Sequence, residues 1–322
     1  MRVFDKIVPF LDKSVEDIGS FILVDDKKLP LDSFFFKEIV PSVVGTLVFV
    51  DGGNGEILRS PSISLQFVRL AAVFFKDNVR VNKIVREFFV LVSAEGDSAY
   101  RCRVFDLNGE VSDSFVVDAF DSELRQGSHR VSAGVVGSHV RKLAEIRFAS
   151  ELVSGLDEGS VLVRDGDLSL SGPFVGEVFS SLSVLAKSRG VRVVGLSKSC
   201  SLCSDSGVPA VFAVSSIAPV GVWFYFANNN VGFVKLHSAS RYVFRFDVFS
   251  HDVDFLHDIF SLLSSNSCDP VFLGYPFGLV EVDKFARVSS GELSQLKLRF
   301  FAKFDFSGLE SSLNAHDVLN TL

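Results

Sequence analysis

Cysteine is scarce in this chain. Cys102, Cys200, Cys203 and Cys268 are all it has, and the opening Met1-Arg2-Val3-Phe4-Asp5-Lys6 is charged rather than apolar. Together these predict a protein of the reducing cytoplasm with no secretion signal. Cys200 and Cys203 form a lone C-x2-C pair. Structural zinc takes four ligands, and no second close pair is present to supply the others. An excess of positive charge is also missing. The formal net charge is −7, which excludes a passive basic coat for nucleic acid but leaves room for an enzyme with a local positive groove.

Uninterrupted apolar runs of membrane length are absent too. Val208 to Ala227 carries no charge but is broken by Pro209, Pro219 and Gly221. The expected structure there is a buried strand, a turn at Ser215-Ser216, and a hairpin around Asn228-Asn229-Asn230, in a protein outside the membrane. No short-period repeat is visible.

What the chain has in quantity is phenylalanine, at 34 residues, within a composition that is 48% hydrophobic and 22% charged. That composition excludes disorder and supplies a sizeable core, with the aromatics as its bulk. Helical spacing is expected near the N-terminus (Val3, Ile7, Phe10, Leu11), as part of an N-terminal helical segment over 1–44. Ile63 to Phe75 reads as the hairpin partner of an earlier strand, with further strands at Phe88–Val92 and Tyr100–Phe105. The polar stretch 106–138 is expected to be a loop or insertion. A helix is predicted from Ser138 to Val153, capped by Ser138 or His139, then a helix over Phe174–Ser188 and a strand at Val191–Val194. Strands follow at Val220–Ala227, Val231–Leu236 and Tyr242–Phe249. The last third is expected to be largely helical: Asp252–Ser264, Phe277–Val288, Gly291–Lys303 and Ser307–Leu319. This order predicts one mixed α/β domain over 1–322, with a central sheet flanked by helices.

Two stretches carry chemistry. Leu47-Val48-Phe49-Val50 reads as a buried strand, and Asp51-Gly52-Gly53 follows it at once. A carboxylate there stands rigidly at a strand end, and the glycines allow backbone or ligand to come close. The bland alternative is an Asp-Gly turn between two strands. A second copy downstream favours a site: Val161-Leu162-Val163-Arg164 also ends on Asp165-Gly166. Glu145, on the helix before the second acidic strand, is the natural third carboxylate, with Glu151 as the fallback. The competing reading of Glu145 is an exposed helix charge paired with Arg141 one turn away. Three clustered carboxylates repel unless a cation neutralises them, and hard divalent cations prefer oxygen, so Mg2+ or Mn2+ is implied. Such a cluster suits hydrolysis of a phosphodiester.

The ordered set of motifs resembles the NurA family, the archaeal DNA-end-processing nucleases that work with the HerA hexameric ATPase. The segments carrying the resemblance are Val50-Asp51-Gly52-Gly53, the Arg141-to-Glu145 helix, Leu162 to Leu168, and Gly195-Leu196-Ser197-Lys198. They continue with Phe233-Val234-Lys235-Leu236, Phe244-Arg245-Phe246, Gly274-Tyr275-Pro276-Phe277-Gly278-Leu279 running to Asp283, and Asn314-Ala315-His316-Asp317. The resemblance implies an RNase H-like core, a homodimer, and Mn2+-dependent cleavage of DNA with 5′-to-3′ exonuclease polarity and endonuclease action on single strands. It also implies that Asp51, Glu145 and Asp165 hold metal and that His316 completes the site. Two departures stand out: Gly53 where the family usually has serine, and the charged Arg164 where an apolar residue is commoner.

Other residues have paired readings. His316 is either a surface histidine or a metal ligand or proton carrier. Asp283 either braces the site or is a solvated helix acid. Lys198, after a glycine at a strand end, can meet a phosphate. Tyr275 either stacks on a base or packs at the core edge, and packing is the expected outcome. Asp252, Asp254 and Asp258 with His251 and His257 read as the first turn and solvent face of one helix. The rival functions are an actin-like ATPase, for which a Gly-rich adenosine segment is missing, and a non-catalytic adaptor of the same fold.

Overall fold

A computed structural model describes residues 3–5, 7–8, 17–24, 27–125, 127–168, 172–227 and 230–303. The proposed Ser307–Leu319 helix and His316 lie outside these residues, as does most of the first N-terminal helix.

The strands are β1 (Phe21–Val24), β2 (Lys27–Pro30), β3 (Phe36–Glu38), β4 (Thr46–Arg59), β5 (Ile63–Lys76), β6 (Val79–Glu95), β7 (Ala99–Phe105), β8 (Val111–Asp118), β9 (Val161–Asp165), β10 (Arg192–Ser197), β11 (Trp223–Tyr225), β12 (Val231–Lys235) and β13 (Phe244–Val248). The helices are α1 (Ala133–Ser154), α2 (Val175–Arg189), α3 (Ala210–Ser216), α4 (Leu256–Asn266), α5 (Phe277–Ala286) and α6 (Ser290–Phe301). β1 and β2 form a small hairpin, and the other strands make one 11-stranded sheet in the order β3-β11-β12-β13-β10-β9-β4-β5-β6-β7-β8. β9 runs parallel to both of its neighbours, β4 and β10, and the remaining pairs are antiparallel.

The central strands read as continuous apolar runs because both faces of the sheet are covered. Side chains alternate across a strand. Val48, Val50 and Leu162 join the core under α1 and α2, which includes Val140, Leu143, Ile146, Phe179 and Leu182. Leu47, Phe49, Val161 and Val163 join the opposite core under α4 and α5, with Ile259, Phe260, Leu279 and Val282. Arg69 ties the α5–α6 link to the sheet: its Nη1 donates to the Arg287 carbonyl at 3.0 Å, and the same side chain pairs with Glu292.

Several sequence expectations need correction. The described residues within 17–44 form the β1–β2 hairpin, a single 3-10 turn at Ser33–Phe35 and β3 rather than an α-helix. The polar stretch after Asp106 contains β8, an edge strand paired only with β7, whose solvent-facing positions are mostly polar (Ser112, Ser114 and Asp118). α1 starts at Ala133, capped by Ser132, whose hydroxyl accepts the Val135 N–H. Gly134 and Gly137 disguised that start. A Cβ at Gly137 would stand 2.4 Å from Gln66 Nε2, so the glycine is there to let the helix press on β5. From Val208 to Ser216 the expected strand and turn are instead α3, while the expected hairpin forms, with β11 inside the Val220–Ala227 strand pairing antiparallel to β12. Ser215 and Ser216 lie in the last turn of α3, their hydroxyls donating to the Val211 and Phe212 carbonyls at 2.6 and 2.9 Å. Among the described residues, no helix is long and apolar enough to cross a membrane.

Candidate metal centre

Asp51 does not end its strand, and Asp51-Gly52 is not a turn. β4 continues to Arg59 because β5 pairs with it along its length, with Asp51 opposite Ala71 and Gly53 opposite Arg69. The strand that stops is β9. Its pairing with β4 closes at Val50 opposite Arg164, and Asp165 is its last residue. Asp51 and Asp165 thus follow the final pair side by side, at the carboxyl end of β9. Both occupy odd positions, on the face of Phe49 and Val163, which is the face covered by α5.

α5 brings the third acid. Asp51, Asp165 and Asp283 each offer a carboxylate oxygen, and these oxygens lie within 4.8 Å of one another. The seating depends on two glycines. A Cβ at Gly278 would stand 2.1 Å from the Phe49 ring, and one at Gly53 would stand 2.3 Å from the Ala286 carbonyl oxygen. Neither glycine has a positive φ, so each serves close approach rather than backbone conformation. The serine usual at the position of Gly53 in the resembling family would meet the end of α5 here.

Glu145 approaches from the other face. Its side chain is 1% exposed and is not the solvent charge of the bland reading. Arg141 Nη1 lies 2.9 Å from Glu145 Oε2, and Arg164 Nε lies 2.7 Å from Glu145 Oε1. The second contact is an ion pair without an aligned hydrogen bond. Arg164 belongs to this pairing rather than to Asp165, since its even position turns it toward α1. It also donates to the Asp167 carbonyl. Arg141 further donates to the Gly52 carbonyl at 2.6 Å, fixing the Gly52–Gly53 peptide beside Asp51. Glu151, the fallback, is remote: it pairs with Arg86 and lines a different hollow, beside Phe88 and Phe115.

A cleft of about 330 Å³ opens between these groups, lined by Asp51, Gly53, Arg141, Glu145, Asp165 and Asp283. Asp51 forms no ion pair among the described residues, and its carboxylate accepts the Gly52 N–H at 2.7 Å. Burial, then the charges of Glu145 and Asp165, push its pKa up to about 7. Lys198 Nζ donates to Asp165 Oδ2 at 2.6 Å and lies 4.0 Å from Asp283. Burial works against its charge, but Asp165 foremost, with Asp283 and Asp51, raises its pKa. Lys198 is nevertheless 48% exposed, so its ammonium can reach an incoming anion. Arg287 pairs with Asp283.

Tyr275 is 3% exposed with its hydroxyl 3.5 Å from Asp165. It packs, as expected, and has no free face for a base. Asp252 is a further correction. It is buried, and it accepts the Val193 N–H at 2.9 Å instead of facing solvent. Cys200 and Cys203 are free thiols. Asp51, Asp165 and Asp283 are the one such ligand group found among the described residues.

Sequence reasoning joined Glu145 to Asp51 and Asp165 as the third metal-holding acid and gave Asp283 only a supporting part. The structure groups Asp51 and Asp165 with Asp283 instead, and nothing local in the sequence marks which face of the sheet α5 will cover.

No family model and no curated protein matches this sequence. Among solved structures, the fold is similar to that of the NurA nuclease from Sulfolobus solfataricus, at 13% identity over 97% of this chain and 96% of that one, with a TM-score of 0.52. Endonuclease V from Ciona intestinalis, solved with a 24mer DNA containing an inosine followed by a ribo-adenosine, gives 12% identity over 80% of this chain and 92% of that one, with a TM-score of 0.42. The first likeness establishes the fold, an RNase H-like mixed sheet between layers of helix; here two acids stand at the end of its parallel strand and the third on α5.

Proposed function

We propose that this chain is a divalent-metal-dependent deoxyribonuclease, a phosphodiester hydrolase acting on single- and double-stranded DNA ends. The observation that carries the reading is the convergence of Asp51, Asp165 and Asp283 from two strands and a helix, with oxygens inside 4.8 Å of one another. The donor set fits a hard cation: all oxygen, all acidic, with one member pushed up to about 7 by burial and by its neighbours' charge. Asp51, Asp165 and Asp283 would hold Mg2+ or Mn2+, which when bound lowers the pKa of water and stabilises charge on the phosphate.

The chain's own residues do the rest. Lys198 Nζ meets a non-bridging phosphate oxygen as a point charge. Arg141 and Arg164 hold Glu145, and through the Gly52 carbonyl Arg141 keeps the Gly52–Gly53 peptide beside Asp51 from shifting. Glu145 is a positioning residue in this arrangement, because both its oxygens already face arginines. The motif resemblance and the shared fold extend the proposal to Mn2+ as the working metal, to 5′-to-3′ exonuclease and single-strand endonuclease modes, and to DNA end processing in the cytoplasm. The same grounds support a homodimer beside a HerA-type hexameric ATPase, with His316 completing the site.

The test is incubation of end-labelled DNA with Mn2+, Mg2+ or chelator, scoring products from each labelled end. Cleavage should require metal and disappear in Asp51→Ala while the fold is retained. Zinc-only activity, or an undiminished Asp51→Ala, would overturn the assignment. A folded chain that cleaves nothing would leave the adaptor reading in its place.

A further inference from the structure

Next to the acidic trio lies a second cavity, of about 380 Å³, with apolar walls made by Tyr242, Phe244, Phe272 and Val280. Its inner end is charged, formed by Lys198 and Asp283. The outer wall is a stacked pair: the Tyr242 and Phe272 rings have centroids 5.1 Å apart and planes inclined by 24°. Both rings are only part-covered, at 43% and 39% exposure. Beyond them is another hollow, of about 370 Å³, lined by the same two rings with Ser240 and Arg241. The Arg241 guanidinium stands 5.5 Å from the centre of the Tyr242 ring.

This wall is built in place. Tyr242 lies between β12 and β13, and Phe272 between α4 and α5. Gly274, at φ +91°, brings the second loop against the first: a Cβ there would stand 2.4 Å from Ser240 Oγ. Ser240 Oγ in turn accepts the Tyr242 N–H at 3.1 Å. Phe272 is braced edge-on by the buried Tyr275, with centroids 5.7 Å apart.

We infer that the Tyr242–Phe272 wall is a stacking site for one unpaired nucleobase of the strand whose phosphodiester lies at the acidic trio. The inference rests on the nuclease reading. A nucleotide joins a flat apolar base to an anionic phosphate, and the cavity joins a flat apolar wall to the Lys198 ammonium in the same order. A base inside a duplex has both faces covered by its neighbours, so only an unstacked base can enter. An apolar peptide would match the wall but not the charged inner end, where the half-exposed Lys198 ammonium can still meet a phosphate. Arg241, on the far side of the rings, is placed for the next phosphate along the strand.

The experiment measures binding of a fluorescent oligo-dT by anisotropy in Ca2+, with a parallel cleavage assay in Mn2+ and Mg2+. Tyr242→Ala should weaken single-strand binding by about 5- to 150-fold, the range that stacking of one base converts to. Tyr242→Phe, which keeps the ring, should stay within about twofold of the wild type. An oligonucleotide series with one abasic position moved along it should weaken wild-type binding at a single register and leave Tyr242→Ala unaffected. Undiminished binding by Tyr242→Ala, equal loss in Tyr242→Phe, a flat abasic scan, or no wild-type binding would each overturn the stacking site, whatever the cleavage assay gives. The expected Tyr242 dependence in a protein that cleaves nothing with either metal would instead overturn the nuclease reading and leave the stacking site standing.

Discussion

Gly53→Ala should damage the site without touching any acid. The added carbon would sit 2.3 Å from the Ala286 carbonyl oxygen and 3.0 Å from its carbon, whereas ordinary contact begins near 3.4 Å. The obstacle is backbone, so no rotamer change relieves it, and the end of α5 has to retreat by about 1 Å. The strand itself accepts alanine more readily than glycine, which makes the contact the whole cost. Overpacking of this kind costs about 1–3 kcal/mol, a fall in Tm of a few degrees for a chain of this size. Asp283 lies one turn back from Ala286 and moves with it, away from Asp51 and Asp165. Misplacement by about 1 Å can cost on the order of 100-fold in rate. The assay is metal-dependent cleavage together with thermal unfolding, each with and without Mn2+. Gly176→Ala, in α2 with nothing within 4 Å of its new carbon, is the control and should gain roughly 0.5–1 kcal/mol. Wild-type rates and Tm in Gly53→Ala would refute the seating of α5 on β4.

Three further outcomes follow from the charges. In chelator, stability should fall as pH rises from about 4 to about 7, because an acid whose native pKa is raised to about 7 from 3.8 binds its proton more tightly folded than unfolded. Up to roughly 4 kcal/mol is at stake; urea denaturation at several pH values should show the slope, Asp51→Asn should flatten it, and a slope of the opposite sign in wild type would contradict the burial of Asp51. Glu145→Ala, which strands Arg141 and Arg164, should destabilise by about 3–5 kcal/mol. Asp283→Asn should unfold near wild type yet lose cleavage, and a reversed order in these two would exchange the roles given to Glu145 and Asp283.

The two strand acids were legible because a strand's period of two is local. Once β4 and β9 pair in parallel with Val50 opposite Arg164, Asp51 and Asp165 must share a face, and Gly52 and Arg164 the other. The expectation that Asp51 ends its strand failed because a hairpin partner can extend pairing on one side while the neighbour on the other side stops. Edge strand β8 escaped notice because an exposed edge needs few apolar residues, and the start of α1 because glycines replaced its apolar stripe. Asp283 was undervalued for a deeper reason. Which helix covers the Asp51 face is decided by sheet order and by the path of the chain from β13 through α4, and no window of sequence contains that information. What the sequence does contain is its trace. Gly53 inside a strand and Gly278 in the first turn of a helix, neither at positive φ, are each unfavourable where they stand, by about 0.5–1 kcal/mol relative to alanine. Each is explained only by a backbone or ring pressed against it. A glycine that costs stability in both of two distant elements marks the place where they meet, and here that meeting point completes the acidic trio.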